Sequence, residues 1–242
     1  MRIGILATGL TSDSLLPTFG SYGDMFVTLL KAQDACFEFE VFEVCSNQFP
    51  TSVDLCDAWL ITGSKSNVDE QSPWMIWLSD FIREIDAQQR ALIGICFGHQ
   101  IIAQALGGQV ACFDGGWGVG IHRYQRVGHD QVIPIDLTSF AICAMHQYQV
   151  VAKPARARVF ARSTFCENAG LFYDQHILTL QGHPEFNKAY EVALIEMFKG
   201  DPIPDALSEQ GLISVEQETL DAAVVMGWIT DFIKHADQLR SQ

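Results

Sequence analysis

Short apolar runs alternate with helical segments through the first hundred residues, and this alternation constrains the fold more than any other feature. Runs that predict buried strands are Ile3–Ala7, Phe39–Val44, Ala58–Thr62 and Ala91–Ile95. Helices are predicted over Gly23–Ala35 and Trp74–Ile85, and Ser72 and Pro73 suit the start of the second helix. Strands that alternate with helices indicate an α/β fold, a parallel sheet with helices on both faces.

The second half of the chain has a different pattern. Strand-like segments separated by turns occur at Gly120–Arg126, Phe140–Met145, Arg158–Ala161 and Ile177–Leu180. They predict a small antiparallel extension of the sheet. Further helices are predicted at Lys188–Lys199 and Val215–Ile233, with Ser214 and Gln217 as a capping box for the second. The two prolines of Gly200–Gly211 indicate a loop.

Length and composition restrict the class of protein. The chain has 242 residues, which fits one α/β domain over residues 1–200 and a C-terminal helical extension, 201–242, packed on the same domain. A formal net charge of -14 disfavours a nucleic-acid partner. No apolar run reaches the length of a membrane span, and the apolar N-terminal stretch is too short for a signal peptide. Seven cysteines therefore suggest free thiols in the cytoplasm.

The segment 91–100 contains the most informative motif. An apolar strand is predicted to run into G-x-C-x-G, with Cys96 at the centre and a helix after it. This is the cysteine form of a nucleophile elbow, in which flanking glycines let the strand and the helix pass closely. The helix dipole favours a thiolate at its N-terminus, and the amide of Phe97 is placed to donate to an oxyanion.

A cysteine nucleophile needs a base, and His183 is the best candidate. It follows the predicted strand Ile177–Leu180, and Pro184 restricts it to extended backbone. Residues i and i+2 of an extended segment point to the same side, so Glu185 can accept a hydrogen bond from the imidazole. His99 lies on the helix after the elbow, where a packed or solvated histidine is expected.

Together the two motifs resemble those of the class I (triad-type) glutamine amidotransferases. Residues 94–100 match the family's G-x-C-x-G-x-Q, and residues 181–185 match its Q-G-H-P-E, in the family's order along the chain. The resemblance covers about residues 1–200 and implies a flavodoxin-like domain with a mostly parallel sheet. No stretch resembles a synthetase or an ATP-binding domain. The branch that is most similar contains free-standing, GMP-synthase-like domains and γ-glutamyl peptidases.

The resemblance also implies roles for several residues. Cys96, His183 and Glu185 correspond to the catalytic triad. Gly63 corresponds to the second oxyanion donor, although T-G-S-K at residues 62–65 replaces the usual G-G-P loop. The implied substrate-binding residues are Gln100, His146, Gln147 and Tyr148; an acidic residue is common in the family at the last of these positions.

The implied activity is hydrolysis of a γ-glutamyl amide through a cysteine thioester, with ammonia passed to a separate acceptor enzyme. The substrate would be a small molecule, glutamine or another γ-glutamyl compound, and a separate synthetase subunit is a candidate partner. No cofactor and no metal site are expected, because a thiol and an imidazole suffice. Two alternatives stay open: a γ-glutamyl peptidase that acts on glutathione-like peptides, and a non-catalytic γ-glutamyl-binding regulatory module.

Overall fold

A computed structural model describes residues 1–128 and 137–240. The strands are β1 Arg2–Leu6, β2 Glu38–Phe42, β3 Ala58–Ile61, β4 Ala91–Ile95, β5 Gln109–Cys112, β6 Gly118–Arg126, β7 Ser139–His146, β8 Tyr148–Ala152, β9 Ala157–Arg162, β10 Gly170–Tyr173 and β11 Ile177–Leu180. The α-helices are α1 Leu16–Phe19, α2 Tyr22–Gln33, α3 Pro73–Ala87, α4 Phe97–Ala105, α5 Lys188–Phe198, α6 Asp205–Gln217 and α7 Ala222–Arg240. None of the helices in these ranges is long and apolar enough to cross a membrane.

One mixed sheet organises the molecule. Over the described residues it has nine strands in the order β2-β1-β3-β4-β11-β10-β9-β6-β7. The strands from β2 to β11 run parallel, and β10, β9, β6 and β7 add antiparallel pairings. The order β2-β1-β3-β4 is that of flavodoxin-like sheets. The predicted fold class is therefore confirmed, with an antiparallel half inside the same sheet.

The central strands are apolar throughout because helices cover both of their faces. All five residues of β4 are buried. Ile93 packs into the cluster that contains α2 and α7, and Leu92 packs into the opposite cluster with α3 and α4. A strand in this position has no solvated face, which explains the continuous apolar run. The bounds of β4 and β11 agree with the prediction residue for residue.

The predicted C-terminal helix was wrong, since two helices replace it. The segment predicted as a loop becomes helical at Asp205, and α6 ends at Gln217. Ser214 is not a cap: its hydroxyl lies inside α6, accepts from the Ile121 amide at 2.9 Å and donates to the Gly211 carbonyl at 2.6 Å. The chain breaks before α7 because Asp221 pairs with Ala141 at the edge of the sheet, through both its amide and its carboxylate.

One smaller prediction also needs correction, and one strand pairing was missed. Pro73 begins α3 as expected, but the Ser72 side chain makes no capping hydrogen bond. The pairing of β5 with β8 was not predicted. Both strands are short and only partly buried, so their sequences lack the apolar run that identified β4.

At Gly98, α4 passes close to the backbone of β3. A Cβ atom at Gly98 would lie 2.4 Å from the carbonyl oxygen of Ile61. Because that atom belongs to the backbone of a buried strand, it cannot move aside easily. Glycine at position 98 is therefore needed for α4 to start where it does.

We expect Gly98→Ala to lower the free energy of unfolding by about 2 to 3 kcal/mol, through overpacking against Ile61. Gly227→Ala is the matched control, because that glycine lies in α7 and its added Cβ would have only an ordinary contact at 3.7 Å. The control is expected to gain up to about 1 kcal/mol from the higher helix propensity of alanine. Urea unfolding of both variants gives the comparison; equal stabilities would contradict the packing argument.

Candidate active site

Three neighbouring parallel strands deliver the predicted catalytic residues to one edge of the sheet. Gly63 follows β3, Cys96 follows β4, and His183 follows β11. The carboxyl ends of parallel strands are where ligands bind in open α/β sheets. The strand order thus brings together residues that are far apart in the sequence.

The turn that carries Cys96 is strained. Its φ of 51° and ψ of -103° lie in a region that few residues other than glycine adopt. Cys96 immediately precedes α4, so the thiol lies at the N-terminus of a helix of nine residues. At Gly94, a Cβ would lie 2.7 Å from the Gly98 carbonyl oxygen. The two glycines therefore make the tight turn possible, as the G-x-C-x-G motif indicates.

His183 and Glu185 form a buried hydrogen-bonded pair. The His183 Nδ1 and Glu185 Oε1 atoms are 2.7 Å apart, and the residues are 4% and 5% exposed. The imidazole stacks on Phe186 with ring centroids 4.1 Å apart, and the His183 amide donates to the Cys143 carbonyl at 2.8 Å. These contacts fix the ring orientation and leave Nε2 as the ring nitrogen for proton transfer with Cys96.

The surroundings of His183 favour its protonated form. Burial alone would lower the pKa of His183, but the charge of Glu185, a negative charge on Cys96 and hydrogen bonds to both residues outweigh it. The net effect is a pKa well above the ordinary value of about 6.5. The geometry therefore suits an imidazolium at His183, close to the Cys96 sulfur.

Two backbone amides lie beside the nucleophile. A Cβ at Gly63 would be 3.7 Å from the Cys96 Cβ and only 2.8 Å from Cε1 of His183, so a side chain there would displace the imidazole. The Phe97 amide belongs to the first residue of α4. Neither amide donates a backbone hydrogen bond within the described part of the chain. Both remain available for an oxyanion.

Gln181 lies in contact with the nucleophile, a role the sequence analysis did not assign to it. The side chain is fully buried, and its Nε2 donates to the Cys96 sulfur at 3.6 Å. Its Oε1 accepts from Gln100 Nε2 at 3.1 Å. The two-residue spacing that placed Glu185 beside His183 would also have placed Gln181 on the same side of this segment.

Gln100 and Tyr148 form one wall of the site. Gln100 Nε2 donates to the Tyr148 carbonyl at 2.8 Å as well as to Gln181, so both of its amide hydrogens are used. Its carbonyl oxygen has no partner among the described residues. The Tyr148 hydroxyl donates to Asp69 at 2.9 Å, and this hydrogen bond raises the pKa of Tyr148. Tyr148 thus joins the wall to the loop after β3.

His146 and Gln147 also line the site, whereas His99 does not. Burial lowers the pKa of His146 to about 3, so its ring is neutral, and neither ring nitrogen has a partner within the described ranges. His99 is buried under α4 with its Nδ1 atom 2.8 Å from the Thr179 hydroxyl. Burial likewise lowers the pKa of His99 to about 3.

The site opens into a cleft of about 330 Å³. Cys96 and His183 lie on it, with the Gln100–Tyr148 wall on one side. An apolar wall contributed by α5 and neighbouring segments includes Trp117, Phe186, Leu194, Phe198 and Pro202. The cleft is therefore larger and more apolar than the immediate surroundings of a carboxamide require.

Replacement of Glu185 by glutamine should lower the pKa of His183, because the imidazolium loses its carboxylate partner. Because the pKa of His183 is higher in the folded state than in the unfolded state, its protonation stabilises the fold. This stabilisation is complete below about pH 6.5, the unfolded-state pKa, and it is lost as pH rises through the folded-state pKa. Glu185→Gln removes the contribution. NMR titration of the His183 ring measures the shift.

Glu191→Gln is the matched control for this titration. Glu191 is also buried near His183, but burial raises its pKa to about 8, so it is largely neutral at pH 7. Because burial keeps Glu191 neutral up to about pH 8, Glu191→Gln should lower the pKa of His183 much less than Glu185→Gln does. An unchanged titration in Glu185→Gln would contradict the assignment of Glu185 as the charge partner.

The neutral buried histidines should make the protein acid-sensitive. A histidine with a pKa of about 3 in the fold and about 6.5 when unfolded lowers stability progressively as pH falls from about 6.5 to about 3. Each such group contributes a slope of about 1.4 kcal/mol per pH unit. We expect His99→Gln to reduce the measured slope in urea unfolding, with exposed His235→Gln as the control. Equal slopes for the two variants would contradict this expectation.

Comparisons with known proteins agree with the geometry. The model of the family "Glutamine amidotransferase class-I" matches residues 36–198. γ-Glutamyl peptidase 2 of Arabidopsis thaliana is 30% identical over 191 residues, 76% of each chain, and γ-glutamyl peptidase 4 of the same plant is 28% identical over 94% of this chain and 93% of its own. A glutamine amidotransferase structure from Thermotoga maritima superposes with a TM-score of 0.76 at 18% identity, over 98% of both chains. The chain therefore belongs to the class I glutamine amidotransferase family.

Proposed function

We propose that this protein hydrolyses γ-glutamyl amides with Cys96 as the nucleophile. The observation that carries the proposal is the convergence of Cys96, the His183–Glu185 pair and two available amides at the ends of three adjacent strands. A nucleophile, an oriented base and an oxyanion site are the parts that acyl transfer needs. A regulatory module that only binds its ligand has no use for the buried carboxylate behind the imidazole.

The acylation step follows from this arrangement. The Cys96 thiolate attacks the γ-carbonyl carbon, and the developing oxyanion accepts hydrogen bonds from the amides of Gly63 and Phe97. The His183 imidazolium donates its proton to the leaving nitrogen as the C–N bond breaks. A γ-glutamyl thioester on Cys96 and a free amine result, and Glu185 stabilises the charged imidazole before this transfer.

Deacylation reverses the proton movement. Neutral His183 accepts a proton from a water molecule, which attacks the thioester carbonyl. The C–S bond then breaks, the thiolate leaves, and the γ-carboxyl group of glutamate is released. The reaction uses only water and protons, so no cofactor is required.

The glutamyl group would bind against the Gln100–Tyr148 wall. The unpartnered carbonyl oxygen of Gln100 is suited to accept from an α-ammonium group, because its amide hydrogens are already engaged. Gln147 offers a further polar side chain on the cleft, whereas both ring nitrogens of His146 are buried.

The leaving group distinguishes two activities. Glutamine, the substrate named in the family description, would release ammonia, and a separate acceptor enzyme such as a synthetase subunit would use it. A γ-glutamyl peptide would release an amino acid or peptide, as the names of the Arabidopsis relatives suggest. The apolar wall beyond the nucleophile favours the second activity, because ammonia would leave it unused.

All seven cysteines are free thiols, which supports a reducing cytoplasmic location.

Cys96→Ala should reduce hydrolysis of glutamine and γ-glutamyl peptides by at least about a thousandfold, since the other triad members act only through the nucleophile. Cys112→Ala, which removes an exposed thiol, is the control and should retain activity. Ammonia and glutamate are measured in parallel for the two substrate types. Normal turnover by folded Cys96→Ala would exclude the mechanism, and ligand binding without turnover by the wild type would support the non-catalytic module.

A further inference from the structure

Lys65 is an exposed residue of the loop after β3, and it lines the cleft. Among the described residues that line the cleft it is the one lysine, arginine, aspartate or glutamate. It forms no ion pair within the described part of the chain, although the protein has 29 acidic residues and only 15 lysines and arginines. Apart from the His183 imidazole, the charged side chain that the described lining residues offer to a ligand is therefore the Lys65 ammonium group.

The loop after β3 determines which part of a ligand Lys65 would meet. The loop starts at Gly63, beside the nucleophile, and Asp69 further along it bonds the hydroxyl of Tyr148 on the glutamyl-binding wall. Lys65 instead lies near the apolar wall, where its Nζ is 5.8 Å from the centre of the Phe198 ring. The loop thus reaches both walls of the cleft, and Lys65 lies beside the wall that the leaving group would contact.

The loop is held in place around Lys65. The Ser64 hydroxyl donates to the Thr8 carbonyl at 2.6 Å, and the Ser66 amide donates back to the Ser64 hydroxyl at 3.1 Å. These bonds hold the backbone on both sides of Lys65, so the side chain starts from a defined position. This is also the point at which the chain departs from the G-G-P pattern of the family.

We propose that Lys65 selects leaving groups that carry a free carboxylate, so that the substrates are γ-glutamyl derivatives of amino acids or peptides with apolar side chains. The inference rests on the proposed function. The apolar side chain of the leaving amino acid would contact Phe198, Leu194 and Pro202, while its carboxylate pairs with the Lys65 ammonium group. Glutamine offers neither group, because its leaving group is ammonia.

Two synthetic substrates test the role of the charge directly. γ-Glutamyl-phenylalanine and γ-glutamyl-phenylalanine amide differ only in the terminal carboxylate. We expect the wild type to favour the carboxylate form by about tenfold in kcat/KM, the gain of one charge-assisted contact. Lys65→Met should remove this preference and leave the rate for the amide form unchanged. The preference should also decrease at high salt, because the charge lies at an exposed position.

Lys31→Met is the matched control. Lys31 is an exposed lysine on α2 whose Nζ also lies 5.8 Å from a phenylalanine ring, that of Phe39, but it does not line the cleft. This variant should keep the wild-type preference. Equal wild-type rates for the two substrates, or an equal loss on both in Lys65→Met, would overturn the inference while Cys96-dependent hydrolysis still supports the proposed function. Full hydrolysis by Cys96→Ala, or none by the wild type, would overturn the proposed function and the inference with it.

Discussion

Two backbone hydrogen bonds hold the turn between β4 and α4, and the candidate active site depends on them. The Cys96 amide donates to the Leu180 carbonyl at 2.8 Å, and the Gly98 amide donates to the Thr62 carbonyl at 3.2 Å. The unusual backbone angles of Cys96 cost about 1 to 3 kcal/mol. Hydrogen bonds of about 1 kcal/mol each, together with the packing around them, offset that strain. They also tie the nucleophile to the two strands that carry its partners.

A chain of buried amides extends this rigidity to the wall of the cleft. It runs from the Tyr148 carbonyl through Gln100 and Gln181 to the Cys96 sulfur. Buried polar networks are stabilising only when their members are satisfied. In the described structure, the Gln100 carbonyl is the member without a partner. A ligand ammonium group at this oxygen would complete the network and would be linked through it to the Cys96 thiol.

The parts of the fold that could be predicted are those in which local sequence and tertiary packing agree. β4 and β11 are buried on both faces, so their apolar runs have the same bounds as the strands. The G-x-C-x-G turn was also predictable, because its glycines serve one steric purpose, the close passage of β4 and α4. The break between α6 and α7 was not, because it depends on the contact of Asp221 with Ala141, 80 residues away.

Predictions about the site divide in a similar way. The positions of Cys96, His183 and Glu185 follow from spacing, because a strand end and an i, i+2 pair are local geometry. The contact of Gln181 with Cys96 could not be predicted in this way, because it depends on which side chain reaches the sulfur. The position of Lys65 in the cleft could not be predicted either, because it depends on which wall the loop after β3 faces. The sequence shows only that Lys65 lies where the chain departs from the G-G-P pattern of the family.

The histidines show why residue type and position alone do not identify a base. Burial lowers the pKa of His99 and of His146 to about 3, and burial acts on His183 in the same direction. His183 differs because a carboxylate 2.7 Å from one ring nitrogen and the Cys96 sulfur near the other reverse the effect. Desolvation then strengthens the interaction that holds the proton. Burial therefore keeps His99 and His146 neutral but leaves His183 able to hold a proton, and the carboxylate of Glu185 accounts for the difference.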